Sequence, residues 1–296
     1  MVGGLGLYER KSPVGIYVAP RLLLYYNSIV LGPCDTKYPS KQTSQNLEIM
    51  GAIEDALRRS KFLSVLLKNQ SSVTDVRLFQ SRGWTARVTY TYIVPLTNIP
   101  LLWSRMEQNL RRFVNRCTRE NLRFSDDDDF DSFFRIHSQT VERKRTMLYL
   151  PEQAFRRYFT QLRALGLCRL YHARLPNGQS IATQLVLVGP YVCTHTVCAG
   201  AEKEFLSLGA NAFLRWKVFE SLSQMGFKAN DLTDAALNPV THFKSQFGGD
   251  LHACLVVART NHLMFQAYQF GLNFAEITRR VFRKLTYRFS LPKMHG

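Results

Sequence analysis

Long apolar runs are missing from this chain of 296 residues: no stretch reaches the ~18 consecutive apolar residues that argue for a membrane-spanning helix. The opening MVGGLGLYERK also lacks the extended apolar core of a secretion signal. Six cysteines, at 34, 117, 168, 193, 198 and 254, are scattered without a C-x-x-C pair. Together these absences favour a soluble protein of the reducing cytoplasm, at most adjacent to the inner face of a membrane. Acid is scarce as well, with 22 Asp and Glu against 39 Lys and Arg, for a net charge of +17. A surface that basic attracts phosphate, carboxylate-rich polymer, nucleic acid or anionic lipid, without saying which. No RNP1, KH or zinc-finger spacing accompanies the charge, so none of the common nucleic-acid modules is indicated.

Hydrophobic residues make up 46% of the chain, enough for a sizeable core, and the length predicts two lobes. In the first, apolar pieces at 15–19 and 22–31 read as strands or as a strand and a turn, and Leu47, Met50, Ile53 and Leu57 recur at helical spacing. A compact run at 62–67 reads as a buried strand and 75–80 as a short helix. From 85 to 94, Ala86, Val88, Tyr90, Tyr92 and Val94 alternate with polar residues, the pattern of a half-buried strand. A helix over 98–120 follows, with Leu102, Met106, Leu110, Phe113 and Cys117 on one stripe. Its arginines at 105, 111, 112, 116 and 119 then face solvent or line a cleft.

Four carboxylates at 126–129 precede a helix that runs to about 143. Adjacent residues on one turn diverge and do not converge on a metal ion; capping and the helix dipole explain them better, so no metal site is implied. A second helix starts at Pro151. Strands at 168–175, 180–188 and 191–198 follow, the first two joined across an Asn-Gly turn. A helix at 207–225, a strand from 227, a helix from Pro239 and a strand at 251–258 complete the second lobe. Beyond 261 the chain reads as a basic helical tail, either packed on the second lobe or lying on anionic lipid.

The stretch FKANDLTDAALNPVTHFKSQFGGD, 227–250, concentrates reactive side chains between two apolar runs. Strand, loop and then His242-Phe243-Lys244-x-x-Phe247-Gly248-Gly249 resembles the carboxy-terminal signature of the FemAB-like acyltransferases of the GNAT superfamily, a grouping that includes the BioF2-like acetyltransferase domain. Supporting matches lie at 103–118, 140–143, 178–187 and 208–216. The resemblance implies an α/β (α+β) protein of two tandem GNAT-like lobes with mixed, mainly antiparallel sheets, the first lobe truncated at its start. The expected division is a partial lobe at 1–97, a second lobe with the inter-lobe helix at 98–260, and the tail at 261–296.

The resemblance also implies an N-acyltransferase acting on an amino sugar or on a peptidoglycan-like or exopolysaccharide precursor. The acyl donor, acyl-CoA or aminoacyl-tRNA, is a substrate and no tightly bound cofactor is expected. Relatives that use tRNA often carry a coiled-coil arm, and no heptad segment of that kind is present here. In the FemAB relatives the Phe-Lys pair sits at the transfer centre, which makes Lys244 the group for the oxyanion and Phe243 an aid in orienting the nucleophile. The proton acceptor stays open among His195, Asp231 and His242. By parity Cys193 and His195 share a strand face and Cys198 takes the other, so they form no metal set. The pyrophosphate loop maps to Ser207, Leu208, Gly209, Ala210 and Asn211, but Leu206 stands where the family has Arg or Gln. Arg111 and Arg112 match the family's basic inter-lobe motif, and with Arg143, Gln184 and His195 they are the candidate contacts to an anionic, amine-bearing acceptor. The competing reading is a non-enzymatic binder of nucleic acid or another anionic polymer.

Overall fold

The alternation at 85–94 folds as the longest strand of the first half in a computed structural model that describes residues 2–20, 23, 25–144, 146, 148–260, 263–268 and 270–271. The first half runs β1 (Gly3–Leu5), β2 (Glu9–Ser12), β3 (Gly15–Val18), β4 (Ile29–Leu31), α1 (Pro39–Arg59), β5 (Ser64–Lys68), α2 (Arg77–Ser81) and β6 (Thr85–Pro95). The second opens with α3 (Ile99–Arg105), α4 (Gln108–Arg119), β7 (Arg123–Asp126), α5 (Phe130–Arg143) and α6 (Glu152–Ala164). It continues with β8 (Cys168–Arg174), β9 (Ser180–Leu187), β10 (Cys193–Ala201), α7 (Ala210–Gln224), β11 (Ala229–Asp231), α8 (Pro239–Ser245) and β12 (Asp250–Thr260).

The mixed, mainly antiparallel αβ architecture is the one expected. What the periodicity did not reveal is that the strands of both halves run on in one ten-stranded sheet, ordered β2-β3-β5-β12-β6-β11-β10-β9-β8-β7. Among the described residues, only β3–β5 and β10–β11 are parallel pairs in it. The last strand crosses back: β12 pairs antiparallel with β6 from Asp250↔Ile93 to Ala258↔Thr85, and with β5 on its other side. A strand late in the chain thus completes the sheet of the first half, while β6 and β11 join the two halves.

The second half buries both faces of its sheet, which is why β9 is apolar on both sides and covered along nearly its whole length. Neighbouring residues point to opposite faces of a strand. Leu170 and Leu185 accordingly pack with Phe133, Phe155 and Phe159 of α5 and α6. Tyr171 and Val186, one position on, pack with Leu110 and Val114 of α4 and Phe213 and Phe219 of α7. The result is a helix–sheet–helix sandwich around the site elements.

Two local expectations change. The helix foreseen over 98–120 is broken at Met106 and Glu107, both extended. Glu107 N–H donates to Gln246 O at 2.9 Å and Gln246 Nε2 to Glu107 Oε2 at 2.9 Å, so a contact from the distant α8 region replaces one turn of helix. The short polar strand β7 gave no apolar pattern and occupies the sheet edge, where one face needs little burial. The acids beside it are all engaged. Asp129 caps α5 by accepting from Ser132 N at 3.0 Å, Asp126 and Asp128 pair with Arg169 and Arg163, and Asp127 and Asp129 share Arg174. Most of the basic tail at 261–296 lies outside the described residues; within it, 263–268 are helical and Phe265 packs on Tyr17 with ring centroids 5.0 Å apart. Among the described residues no helix is long and apolar enough to cross a membrane.

Candidate active site

Parallel pairing of β10 with β11 lasts only from Cys193–His195 to Ala229–Asp231. Beyond His195 and Asp231 the two strands part, and β10 carries a bulge between Thr196 and Cys198 against β9. A bulge leaves one residue outside the ladder and re-aims its neighbours. The parting opens a cavity of about 610 Å³, walled by 196–200 of β10, by Leu232 and Thr233 after β11, and by residues of α5, α7 and α8. Gln184 holds one wall in place, donating from Nε2 to Thr196 Oγ1 at 3.1 Å.

Helix α8 sets the most reactive wall. Asn238 caps it, accepting from Thr241 N at 3.0 Å, and Pro239 fixes its first turn. Lys244 and Phe243 then face the cavity, whereas His242 on the same short helix is exposed and outside the lining. Lys244 Nζ donates to Asp234 O at 2.7 Å and to Thr233 O. Those carbonyls are turned toward it because Thr233 and Asp234 hold left-handed backbone, φ 48° and 56°, which non-glycine residues adopt at a cost that is commonest at functional sites. An ammonium has three N–H donors, so one remains for a ligand. Burial lowers the Lys244 pKa, the nearby Arg215 and Lys144 lower it further, and Asp234 and Asp231 partly oppose them, leaving it at about 8.

Asp231 is buried at the end of β11 and its oxygens are spent. Tyr26 Oη donates to it at 2.8 Å, Thr233 N at 2.7 Å, and Thr91 Oγ1 as well. His195 Nε2 stands 3.9 Å from Asp231 Oδ2, edge-on to Tyr26, and lies outside the cavity lining. Burial lowers the His195 pKa, with the Asp231 charge opposing. The pair supports the turn that carries Thr233 and Asp234.

Among the lining residues that escaped the sequence reading, two are buried and ionisable. His137 of α5 is buried, its Nε2 has no partner among the described residues, and burial with the Lys144 charge holds it down to about 4, so the ring is neutral at pH 7. Arg215 of α7 is buried against Phe243 and Phe247, and burial lowers its pKa to about 10. A signal existed for each. His137 falls four residues after Phe133 and before Val141 on a buried stripe, and Arg215 interrupts the run Phe213-Leu214-x-Trp216.

Of the other predicted contacts, Arg143 lines the cavity, with Nη1 donating to Ala201 O at 3.3 Å. Arg111 and Arg112 are on α4 and do not line it. The loop Ser207–Asn211 leads into α7, and Asn211 with Leu206 reaches the cavity. Gly209 caps α7 at φ 90°, and a Cβ there would sit 2.4 Å from Phe113 Cβ. Gly209→Ala is therefore expected to destabilise the fold by about 1–3 kcal/mol through backbone strain and overpacking. A denaturation midpoint equal to that of the parent would show that the α4–α7 contact yields freely.

Residues 104–245 match the family model described as Acetyltransferase (GNAT) domain. Among solved structures, the chain resembles FemX at 12% identity and a TM-score of 0.67, over 86% of this chain and 84% of that one. It also resembles the C-terminal domain of a protein described as a lysylphosphatidylglycerol synthetase from Agrobacterium fabrum, at 12% identity and a TM-score of 0.60, over 88% and 85% of the two chains. L-PGS from Bacillus licheniformis gives 13% identity and a TM-score of 0.55, over 86% and 81%. No curated protein matches the sequence. Residues 104–245 thus match the GNAT acetyltransferase domain, and the chain shares the fold of FemX.

Proposed function

We propose that the protein is an N-acyltransferase that moves an acyl group from acyl-CoA to an amine on an anionic amino sugar or on a peptidoglycan-like or exopolysaccharide precursor. The observation that carries this reading is Lys244: a half-buried ammonium, clamped by two backbone carbonyls at the parting of β10 and β11, with one N–H left over. In the reaction the amine nitrogen forms a C–N bond to the donor carbonyl, whose π electrons move to oxygen. The Lys244 N–H and the backbone freed at the β10 bulge stabilise that oxyanion more than the neutral carbonyl. Collapse of the intermediate expels the donor thiolate, and the amine's proton passes to a base. His137 is the candidate whose Nε2 is unpartnered in the cavity lining, which His195, Asp231 and His242 do not reach, though burial makes it a weak base.

The division into lobes at 1–97 and 98–260 is part of this proposal, with β12 exchanged into the first sheet, as is a cytoplasmic location with the tail against the inner membrane face. Arg111 and Arg112 serve only an acceptor that extends along α4. A tRNA-dependent aminoacyl transfer uses the same chemistry with an ester donor. The test is a screen of acetyl- and longer acyl-CoA against charged tRNA, with the product mass read directly. Acyl transfer from CoA to an amino sugar is the expected result. Length-dependent, steeply salt-sensitive binding to random DNA, with no transfer from any donor, would overturn the reading in favour of a polymer binder.

A further inference from the structure

Arg215 is 5% exposed, and its Nε and Nη1 have no hydrogen-bond partner among the described residues. Its guanidinium carbon lies 5.9 and 5.6 Å from the ring centroids of Phe243 and Phe247, contacts that shield it from water without balancing its charge. A buried guanidinium with no carboxylate beside it is strongly unfavourable, so such a residue persists when a ligand supplies the opposite charge. The rest of the cavity deepens the imbalance. Arg143, Lys144 and Lys244 line it together with Arg215, and among the described residues no Asp or Glu does. Lys144 and Lys244 each feel Arg215 as a repelling charge, and the carboxylates of Asp231 and Asp234 reach only Lys244.

A single carboxylate would neutralise one of these cations. A phosphate or diphosphate carries two or three charges and presents several oxygens, which suits a planar guanidinium that shares its cavity with lysine ammonium groups. We infer that Arg215 and Lys144 form a built-in seat for a phosphate-class anion of one of the two substrates, in the cavity whose lining also carries Lys244 with its one N–H kept for the oxyanion. The inference rests on reading the cavity as the acyl-transfer site. It moves the main anion contact from Arg111 and Arg112 of α4, which do not line the cavity, into the cavity itself. The seat belongs either to the diphosphate of the acyl donor or to a phosphate on the acceptor, and it holds that anion in the same cavity as Lys244.

Sodium pyrophosphate is the first probe, titrated by calorimetry and by thermal unfolding against the full chain. Wild type is expected to bind it and to gain Tm, while sodium acetate gives no shift. Arg215→Met is expected to raise the Tm of the anion-free protein, because it removes an uncompensated buried charge and fills the space with a flexible apolar chain. It should also weaken pyrophosphate binding by ~30-fold or more, the lower range for losing one side of a buried charge pair. A merely structural arginine would do the reverse, lowering Tm and leaving pyrophosphate affinity unchanged. If Arg215→Met does not fold, Lys144→Met carries the comparison and must still lose pyrophosphate affinity. Displacement of pyrophosphate by coenzyme A assigns the seat to the donor, and displacement by uridine diphosphate assigns it to the acceptor. Absence of pyrophosphate binding to wild type, or equal affinity in folded Arg215→Met, would overturn the inference. Acyl transfer is read separately, so a protein that binds the anion and transfers nothing would sink the proposed function alone.

Discussion

Lys244→Met is expected to lower kcat by about 10²–10³-fold, the scale of losing one oxyanion-stabilising group, while folding stays intact. The side chain is held by the Thr233 and Asp234 carbonyls and not by an ion pair at close range, so its removal leaves two carbonyls at a cavity wall that water can reach. The pH dependence separates the possible roles. An oxyanion stabiliser must be protonated, and burial with the Arg215 charge lowers Lys244 to about 8, so the rate should fall as pH rises through about 8. A lysine acting as base would give the opposite limb, a rate that rises through the same range. Lys244→Arg should recover part of the rate and lose the descending limb, since a guanidinium does not titrate there and its planar fork fits one oxygen poorly. An unchanged kcat in Lys244→Met would remove this residue from the chemistry.

Glu54→Ala is expected to cost about 3–5 kcal/mol of stability, the range for breaking a buried ion pair from one side. Glu54 is completely buried on α1, yet it accepts from Arg82 at 2.7 Å, Arg58 at 2.8 Å and Trp84 Nε1 at 2.9 Å, with Arg259 of β12 at 3.7 Å. It therefore ties α1 and the segment after α2 to the strand that crosses back from the second half. Burial alone would raise its pKa, but the hydrogen bonds from Arg82, Trp84 and Arg58 outweigh burial and hold it down to about 2. A depressed carboxylate contributes stability that is fully present above the unfolded value of ~4.3 and is lost as pH falls toward 2. Urea midpoints at pH 7 and pH 3 check both statements. The difference between parent and Glu54→Ala should be large at pH 7 and smaller at pH 3. A variant within about 1 kcal/mol of the parent at pH 7 would mean that the cluster is no anchor.

What was legible in the sequence is what local chemistry decides. The alternation through Tyr90 and Tyr92 yields β6, the Asn-Gly turn yields the β8–β9 hairpin, and Pro239 starts α8 where expected. Phe243, Lys244, Arg143 and Asn211, proposed as site residues, do meet in one cavity. Long-range pairing was not legible. Nothing local tells Asp250–Thr260 to lie between β5 and β6, or tells the helix after Asn98 to break at Met106 for the sake of Gln246. His242 reads as part of the same motif as Lys244, but on a single turn the two side chains take different directions, and only one reaches the cavity. His137 and Arg215 come from helices whose role in the site depends on the whole sandwich, and their only sequence trace is a polar residue in a buried phase.

We propose that acyl transfer takes place in the cavity where β10 and β11 part. Leu206 and Val240 both line it and are 40% and 41% exposed, so each accepts a larger side chain without disturbing the core. The most direct measurement is the intact mass of the acceptor after incubation with acyl-CoA and either the parent or the double variant Leu206→Trp, Val240→Trp. The account predicts an acyl mass increment with the parent and none with the double variant, whose melting temperature should stay close to that of the parent. A full increment from a folded, obstructed variant would place the chemistry elsewhere on the molecule.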